Sequence, residues 1–312
     1  MSSSNYKIQH GVMMDKMRWS TRKRIEFIES RLFWDGKVSR KDLTDFFDVS
    51  VPQATKDLKM YADIAPENIK YDRSAKCYVI GDNFKEAMGE LNSDSYFSHL
   101  SATGINHDGI FFCGMTPPAY QLPFLARKIS RSILKTILFC MREDLSVEIE
   151  YQSMSTPEPT KRWITPHALG FDGFGWHVRA LCHRHKMYRD FVLSRIISVG
   201  NRKQFGFGHN NDYLWNNNLK FRIAPHPDLP PGQKKSISCE FNMTDGEVIL
   251  EIKAAFHFYL KRRLRFNIDN NKQEINDYHV VIVNNDEIEA KLSLLFELES
   301  SKVNELPIDL SL

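Results

Sequence analysis

Residues 38–61 read VSRKDLTDFFDVSVPQATKDLKMY, and this stretch decides how the first part of the chain folds. Ser39 is placed to cap a short helix with an apolar face, and a break at residues 48–50 ends that helix. Pro52 then stands in the first turn of another helix, where its missing amide hydrogen costs nothing. Two helices joined by a three-residue turn are the helix-turn-helix pattern.

The neighbouring residues complete a winged helix-turn-helix. Apolar residues recur at helical spacing after Ser20, a candidate N-cap, and predict a helix before the motif. Residues 69–79 alternate around a polar tip, and this pattern predicts a β-hairpin in the place of a wing. We therefore expect a winged helix-turn-helix domain over residues 1–92. A segment dense in structure-breaking residues follows, and we expect a linker at 93–125.

The second helix of the motif is predicted to have a core face and a basic face. Ala54, Leu58 and Tyr61 lie on one narrow arc, so Lys56 and Lys59 lie on the opposite arc. The solvated face of a helical bundle would also explain these lysines, but helix, turn, helix and basic hairpin together favour a DNA reader. The candidate DNA-binding residues are Arg22, Ser50, Gln53, Thr55, Lys56, Lys59, Arg73 and Lys76.

Positive charge is concentrated in two blocks of the chain. Residues 1–80 carry a net charge of +4 and residues 127–206 one of +7, whereas the remaining residues sum to −8. The second block is predicted to begin with a helix at 124–141 and to continue as five short strands with tight turns, which is typical of a small barrel. Phosphate neutralisation supplies most non-specific affinity for nucleic acid, so each block could meet an anionic partner.

The predicted barrel strands carry motifs that resemble the WYL domain of bacterial regulators. These motifs are the stretch RWITP at 162–166, Gly170, the triplet Trp176-His177-Val178, and the run RDFVLSRI at 189–196. The triplet keeps only the tryptophan of the Trp-Tyr-Leu sequence that names the domain. The RxFxLxRI pattern and the spacing from Pro166 to the triplet are more specific. The whole chain is most similar to WYL regulators of anti-phage defence islands such as BREX and CBASS loci.

The resemblance implies an α+β multidomain fold. It consists of the winged helix-turn-helix, a central WYL domain with an Sm-like or SH3-like β-barrel at 126–206, and a small C-terminal α/β dimerisation domain at 207–312. It also implies a homodimeric repressor of a phage-defence operon. Such a repressor binds a palindromic operator and is modulated by a nucleotide or nucleic-acid ligand in the WYL domain.

Basic and aromatic side chains of the barrel are the candidates for holding that ligand. The predicted strands are expected to bring Arg179, Arg189 and Arg195 together. Their guanidinium groups would then match phosphate geometry bidentately. Surface arginines on a solvated barrel are the alternative interpretation. The candidate ligand-binding residues are Tyr151, Ser153, His167, Trp176, His177, Arg179, Arg189, Phe191 and Arg195.

The C-terminal part is predicted to alternate strands and helices. A cluster of asparagines and prolines at 216–232 is expected to end the middle domain. The pattern after it indicates a small α/β sandwich. The predicted elements are strands at 237–241 and 247–252, a helix at 254–266, a strand at 279–283 and an amphipathic helix at 286–298.

A nucleic-acid-processing enzyme or a nuclease accessory subunit is the main functional alternative. Cys182-His183-Arg184-His185 would favour a metal, but on a strand only the two histidines share a face. No HExxH, phosphate-loop or GxSxG motif occurs, so we expect no catalytic residue, metal or cofactor. A pure protein-interaction module would leave the basic winged helix unexplained. No apolar run approaches the roughly 20 residues of a membrane span, and a cytoplasmic location is expected.

Overall fold

The computed structural model of the chain describes residues 17–89, 91–103, 110–115, 117–122, 125–204, 209–266 and 278–306. The chain divides into two compact units, which we call the N-terminal unit (Met1–Pro123) and the C-terminal unit (Phe124–Leu312). Within these described ranges, none of the helices has the length and apolar character needed to cross a membrane.

The N-terminal unit contains the predicted winged helix-turn-helix. Its helices are α1 (Trp19–Asp35), α2 (Arg40–Phe47) and α3 (Val51–Ile64), and its strands are β1 (Lys37–Val38), β2 (Ile69–Asp72) and β3 (Cys77–Ile80). The strands form an antiparallel sheet in the order β1-β3-β2. Ser39 and Ser50 begin α2 and α3, because their hydroxyls accept hydrogen bonds from the backbone N–H groups of Asp42 and Gln53.

The three helices pack around one apolar core. Ala54, Leu58 and Tyr61 of α3 are completely buried, as their spacing predicts. A buried ion pair also joins α1 to α3, with Arg24 Nε 2.6 Å from Asp57 Oδ2. One detail differs from the prediction, since α1 begins at Trp19 without a side-chain cap and Ser20 lies inside its first turn.

The segment predicted as a linker contains regular structure. It forms helix α4 (Ser93–Thr103) and the short strands β4 (Ile110–Phe111) and β5 (Gly114–Met115). Tyr96 packs against Trp34 of α1, and Phe112 packs against Phe27. Asn92 stands just before this helix, and its side chain accepts a hydrogen bond from the Ser95 N–H in the first turn. The domain boundaries proposed from the sequence remain predictions.

The first half of the C-terminal unit is a five-stranded antiparallel sheet with a helix on one face. Helix α5 (Arg131–Arg142) starts later than predicted, and its buried side chains share a core with the sheet. The strand order is β10-β6-β7-β8-β9. The first and last strands of this order do not pair, so the expected barrel is not closed. The strands are β6 (Leu145–Tyr151), β7 (Thr160–Phe171), β8 (Trp176–Cys182), β9 (Met187–Val192) and β10 (Ile196–Gln204).

A smaller three-stranded sheet with helices follows, in the strand order β12-β11-β13. The predicted strands near 250 and 281 and the last helix are confirmed. The helix predicted at 254–266 is shorter, since Ala254–Phe256 is a 3-10 turn that precedes α8. The elements are α6 (Tyr213–Asn216), β11 (Asn218–Pro225), α7 (Pro231–Glu240), β12 (Val248–Lys253), α8 (His257–Arg263), β13 (Val280–Ile282) and α9 (Asn285–Asn304).

Two expectations for this region are wrong. Residues 237–241, predicted as a strand, belong mostly to α7, which has Pro231 in its first turn. The supposed break at 216–232 contains β11, the central strand of the sheet. Leu219 and Phe221 are buried there on either side of the exposed Lys220, so the period of two was present between the asparagines and the prolines.

Candidate nucleic-acid interface and anion site

Helix α3 presents a short basic face to solvent. Thr55, Lys56 and Lys59 are exposed, opposite the buried arc of the helix. Neither lysine has a carboxylate within ion-pair distance in the described part of the chain. Thr55 donates its hydroxyl to the Val51 carbonyl oxygen, 2.9 Å away, and so supports its own helix. The two ammonium groups are therefore available to an external anion.

Three of the other candidate residues already serve the domain itself. The Gln53 side-chain amide donates to Asp57 Oδ1 at 2.8 Å, and so supports the buried pair of Asp57 with Arg24. Ser50 is the N-cap of α3. Arg22 pairs with Glu26 one turn along α1, at 2.9 Å. These contacts position the three residues within the domain. Gln53 is nevertheless only half-buried.

The wing has two cations at its tip. Arg73 and Lys76 are exposed in the turn between β2 and β3. The Asp72 carboxylate shapes this turn by accepting hydrogen bonds from the Ser74 hydroxyl and from the backbone N–H groups of Ser74 and Ala75. These bonds lower the pKa of Asp72. Lys76 has a positive φ of 53°, which tight turns use. The turn thus places both exposed side chains at the end of the hairpin.

In the C-terminal unit, Arg179 on β8 is surrounded by carboxylates. Its Nε lies 2.8 Å from Asp212 Oδ2 and its Nη2 lies 3.0 Å from Asp212 Oδ1. Asp190 is 3.3 Å away and Glu299 of α9 is 3.9 Å away. Arg179 is 5% exposed, so the protein itself neutralises this guanidinium.

The pKa values of these groups show how tightly they interact. Burial disfavours the charge of Asp212, but hydrogen bonds from His167 and Arg179 outweigh it and lower the pKa of Asp212. Burial, together with the negative charge of Asp212, raises the pKa of Glu299. One guanidinium thus faces three carboxylates, and burial beside Asp212 disfavours the charge of Glu299.

The two histidines predicted to hold a ligand are also engaged by carboxylates. His167 Nε2 lies 2.8 Å from Asp212, and His177 Nε2 lies 3.0 Å from Asp172. Tyr259 of α8 donates its hydroxyl to Asp190 at 3.1 Å and packs its ring against His177. These contacts join the five-stranded sheet to the C-terminal elements.

Strand register separates the arginines that the sequence groups together. Arg179 is paired with Asp190, and Ala180 is paired with Arg189. Paired residues of antiparallel strands share a face, and consecutive residues alternate between faces. Arg179 and Arg189 therefore lie on opposite faces of the sheet, and the structure does not bring them together.

Arg162 on β7 is a second buried guanidinium, with a different environment. It is 8% exposed, and its guanidinium carbon lies 5.5 Å from the Tyr151 ring centroid and 5.9 Å from that of Phe191. Its Nη2 donates to the Thr160 hydroxyl. Its Nε has no hydrogen-bond partner, and no described carboxylate lies within ion-pair distance.

The surroundings of Arg162 are electropositive. Burial lowers the pKa of His185, and the positive charges of Arg189, Arg162 and Arg184 lower it further. Arg189 is exposed, with its Nε 3.0 Å from the Met187 sulfur. This end of the sheet can therefore accept an anion beside two aromatic rings.

The remaining candidates differ in burial. Tyr151 accepts the Val192 N–H with its hydroxyl at 3.2 Å, and its ring meets Phe191 edge-on. Arg195 and Ser153 are partly exposed beyond the end of β6. Trp176 is half-exposed, with its ring 5.2 Å from that of Phe171.

The local pattern contained a signal for Arg162. Residue 162 pairs with Ile149, a core position, so an arginine occupies the inward face of an alternating strand. A charge at such a position indicates either a buried partner or a ligand. Asp212 and Glu299 gave no comparable signal, because they meet Arg179 only through the fold.

The Cys-His-Arg-His segment has a structural explanation. His183 is buried and lies 2.8 Å from the Thr165 hydroxyl, and burial lowers the pKa of His183 to about 4. Cys182 belongs to the apolar core on the helix side of the sheet. Among the residues that the structure describes, no three His, Cys, Asp or Glu side chains are grouped to hold a metal.

Family models match three stretches of the chain. The BrxR transcriptional regulator winged helix-turn-helix domain matches residues 20–102 and the WYL domain matches residues 132–200. The BrxR transcriptional regulator C-terminal dimerization domain matches residues 219–288. The matches follow the order of domains that the sequence motifs predict.

Relatives described as the DNA-binding transcriptional repressor CapW are similar over most of the chain. The protein from Escherichia coli (strain KTE188) is 38% identical over 277 residues, which is 88% of this chain and 93% of the relative. The protein from Pseudomonas aeruginosa is 37% identical over 273 residues, or 87% and 91% of the two chains. The protein from Stenotrophomonas maltophilia is 34% identical over 278 residues, or 88% and 92%.

Proposed function

This chain belongs to the family of BrxR and CapW transcriptional regulators with a WYL domain, and from that premise we propose that it is a homodimeric DNA-binding repressor of a phage-defence operon. The exposed basic face of α3 beside a basic wing is the observation that carries the proposal. The family match favours a regulator over an enzyme. Because the protein binds DNA, it acts in the cytoplasm.

The winged helix binds DNA through α3 in the major groove. Lys56 and Thr55 reach the groove, with Gln53 beside them, while Lys59 neutralises a phosphate. Arg73 and Lys76 at the wing tip contact phosphates near the minor groove. One short recognition helix buries too little DNA for tight specific binding, so two copies act together. The match to a dimerization domain at 219–288 supports this, and two-fold symmetry makes the operator a palindrome.

The effector is an anion, a nucleotide or a short oligonucleotide, held around Arg162. A buried guanidinium without a carboxylate costs free energy unless an anion pairs with it. The buried rings of Tyr151 and Phe191 pack against the guanidinium and hold it in place. Arg189 and Arg195 add positive charge at the rim. Arg179, His167 and His177 are left out of this site, because carboxylates of the chain already pair with them.

The DNA-binding part is tested with the variant Lys56→Ala/Lys59→Ala on an inverted repeat from the upstream region of the operon. Removing two cations should weaken binding at least about tenfold and reduce the slope of log affinity against log salt by about 2. The control is Lys135→Ala/Lys302→Ala, which removes two exposed lysines of the C-terminal unit that lie outside the dimerization match. It should bind as the wild type does.

The same titration is repeated with Mg²⁺. A mobility shift without cleavage is the expected result for a repressor. Cleavage of the fragment would favour the nuclease alternative, and equal loss of binding in the test and control variants would remove α3 as the reader.

A further inference from the structure

A cavity of about 410 Å³ lies in the N-terminal unit, beside α1 and the first turns of α4. Its volume is in the range of small-molecule sites. Four rings line it: Trp34 and Tyr96 have centroids 4.6 Å apart, and His99 stacks on Phe112 at 5.2 Å with 18° between their planes. Rings that line a cavity favour a flat aromatic guest, because stacking adds to the burial of apolar area.

Ser30 supplies a buried polar group to this cavity. It is 2% exposed, and its hydroxyl makes no well-formed hydrogen bond within the described ranges. Its polar neighbour is the Cys113 thiol, which is a weak partner, and burial raises the pKa of that thiol. A buried hydroxyl without a good partner costs free energy, and a ligand atom that hydrogen-bonds with it recovers that cost.

The charges around the cavity disfavour an anion. Glu29 lines it, and its carboxylate already accepts the N–H groups of Ala87 and Met88, each at 2.8 Å, and the Tyr61 hydroxyl at 3.2 Å. Lys23 shares the Glu26 carboxylate with Arg22, and its side chain is 41% exposed, so solvent screens its charge. Among the lining residues that the structure describes, no buried cation is placed for a phosphate or carboxylate.

We propose that this cavity is a small-molecule site for an uncharged planar heteroaromatic compound of the size of indole or a nucleobase. The ring lies among Trp34, Tyr96 and Phe112, and a polar ring atom forms a hydrogen bond with Ser30. The site is separate from the anion site near Arg162, since it lies in a different unit and has the opposite charge preference.

The cavity is connected to the DNA-reading helix through one side chain. Glu29 lines the cavity and also accepts the hydroxyl of Tyr61, a buried residue of α3. A ligand that moves Glu29 therefore changes the support of α3, and its occupancy shifts affinity for the operator. This consequence rests on the proposed function, whereas binding in the cavity does not.

The test is calorimetric titration of the full chain with indole, adenine and AMP. We expect indole or adenine to bind with a dissociation constant on the order of 0.1–1 mM, which suits so few atoms. AMP should not compete with indole, because its phosphate has no buried cation to pair with in the cavity. No binding of either uncharged probe to the wild type up to several millimolar, or competition by AMP, would overturn the proposal.

Two variants locate the binding. Ser30→Ala should weaken indole or adenine binding about tenfold while the unliganded protein melts no earlier, since only an unsatisfied hydroxyl is lost. Ser95→Phe fills the cavity from the exposed face of α4 and should abolish binding, whereas Ser98→Phe on the same helix does not line the cavity and should bind normally. Wild-type affinity in both Ser30→Ala and Ser95→Phe would place the ligand elsewhere.

Operator binding with and without saturating indole tests the connection to α3. A change in affinity is the expected result, and an unchanged affinity would overturn the connection through Glu29. The DNA-binding proposal fails separately: Lys56→Ala/Lys59→Ala and its control would then have the same affinity for the operator.

Discussion

Arg162 and Arg179 are two buried guanidinium groups on one sheet, and they have opposite surroundings. Arg179 faces the C-terminal elements and has Asp190, Asp212 and Glu299 within 4 Å. Arg162 lies on the other side of the sheet between aromatic rings, and its Nε has no partner in the described structure. Arg179 is thus a structural cation, because the chain supplies its carboxylates, whereas Arg162 is our candidate for binding an anion, because the described residues supply none.

The difference assigns the two faces of the sheet to different tasks. On one face, ion pairs and the Tyr259 hydroxyl join β8 and β9 to the C-terminal elements. On the other face, positive charge collects near His185. Because β8 and β9 contribute to both faces, an anion that moves Phe191 or Arg189 can also move Asp190. On our proposal that Arg162 holds the effector, this gives a physical route to the elements within the dimerization match.

The largest expected effect is on stability, and it comes from Arg179→Met. This change leaves Asp190 and the buried Asp212 and Glu299 without their cation, and breaking such a pair costs about 3–5 kcal/mol. Arg162→Met is the matched comparison, since it removes a buried cation that has no carboxylate, and the change should stay within about 1 kcal/mol. The free energy of unfolding of both variants is measured in urea at pH 7.5.

A loss of similar size in both variants would break the comparison, because it would mean that Arg162 also has a stabilising anionic partner within the protein. A stabilised Arg162→Met would strengthen it. Folding of each variant is verified by circular dichroism before denaturation.

A smaller effect is expected on ligand binding. Arg162→Met should weaken binding of a short single-stranded oligonucleotide about 10- to 100-fold, because a desolvated pair with phosphate is lost. It should also reduce release of the operator by that ligand. Arg184→Met is the control, since Arg184 is exposed beyond the end of β8 and contributes only to the surrounding charge.

Binding is followed by fluorescence anisotropy with labelled DNA, RNA and cyclic nucleotides. Equal weakening in Arg162→Met and Arg184→Met would reduce the site to general positive charge. Unchanged binding and unchanged induction in Arg162→Met would remove this arginine from the effector site.

The contrast also shows what sequence can and cannot predict. The helix-turn-helix followed from local information, since caps at Ser39 and Ser50 and the arc of Ala54, Leu58 and Tyr61 are set within a few residues. Strand β11 was missed because flanking asparagines and prolines obscured an ordinary alternation. Local patterns therefore carried most of the fold.

Excluding Arg179 from the candidate effector site depended on distant partners, which no local pattern contains. In the sequence, Arg179 is as plausible a phosphate-binding residue as Arg162. The structure shows that Asp212 and Glu299 already pair with Arg179. Those two residues lie 33 and 120 positions further along the chain, and only the fold brings them to Arg179. The charge of an arginine can be seen in sequence, whereas its neutralisation cannot.

The smallest expected effect sharpens the description of the Arg179 face through pH. The raised pKa of Glu299 means that the folded protein keeps this proton after the unfolded chain has lost it. Stability therefore falls as pH rises from the ordinary value of 4.5 towards 7, because the unfolded state binds fewer protons over that range. Glu299→Gln cannot ionise and escapes this loss. The variant should match the wild type near pH 4.5 and exceed its stability by at least about 1 kcal/mol above neutrality.

Urea unfolding of the wild type and of Glu299→Gln at half-unit steps of pH measures this difference. The lowered pKa of Asp212 contributes stability that is lost only as pH falls below its ordinary value of 3.8, so it lies outside the window and is common to both proteins. Glu297→Gln on an exposed position of α9 controls for the removal of a charge. A difference that stays constant with pH, or that favours the wild type at high pH, would mean that Arg179 holds Glu299 ionised. All three carboxylates would then be charged, and Arg179 would be still less available to a ligand than the structure indicates.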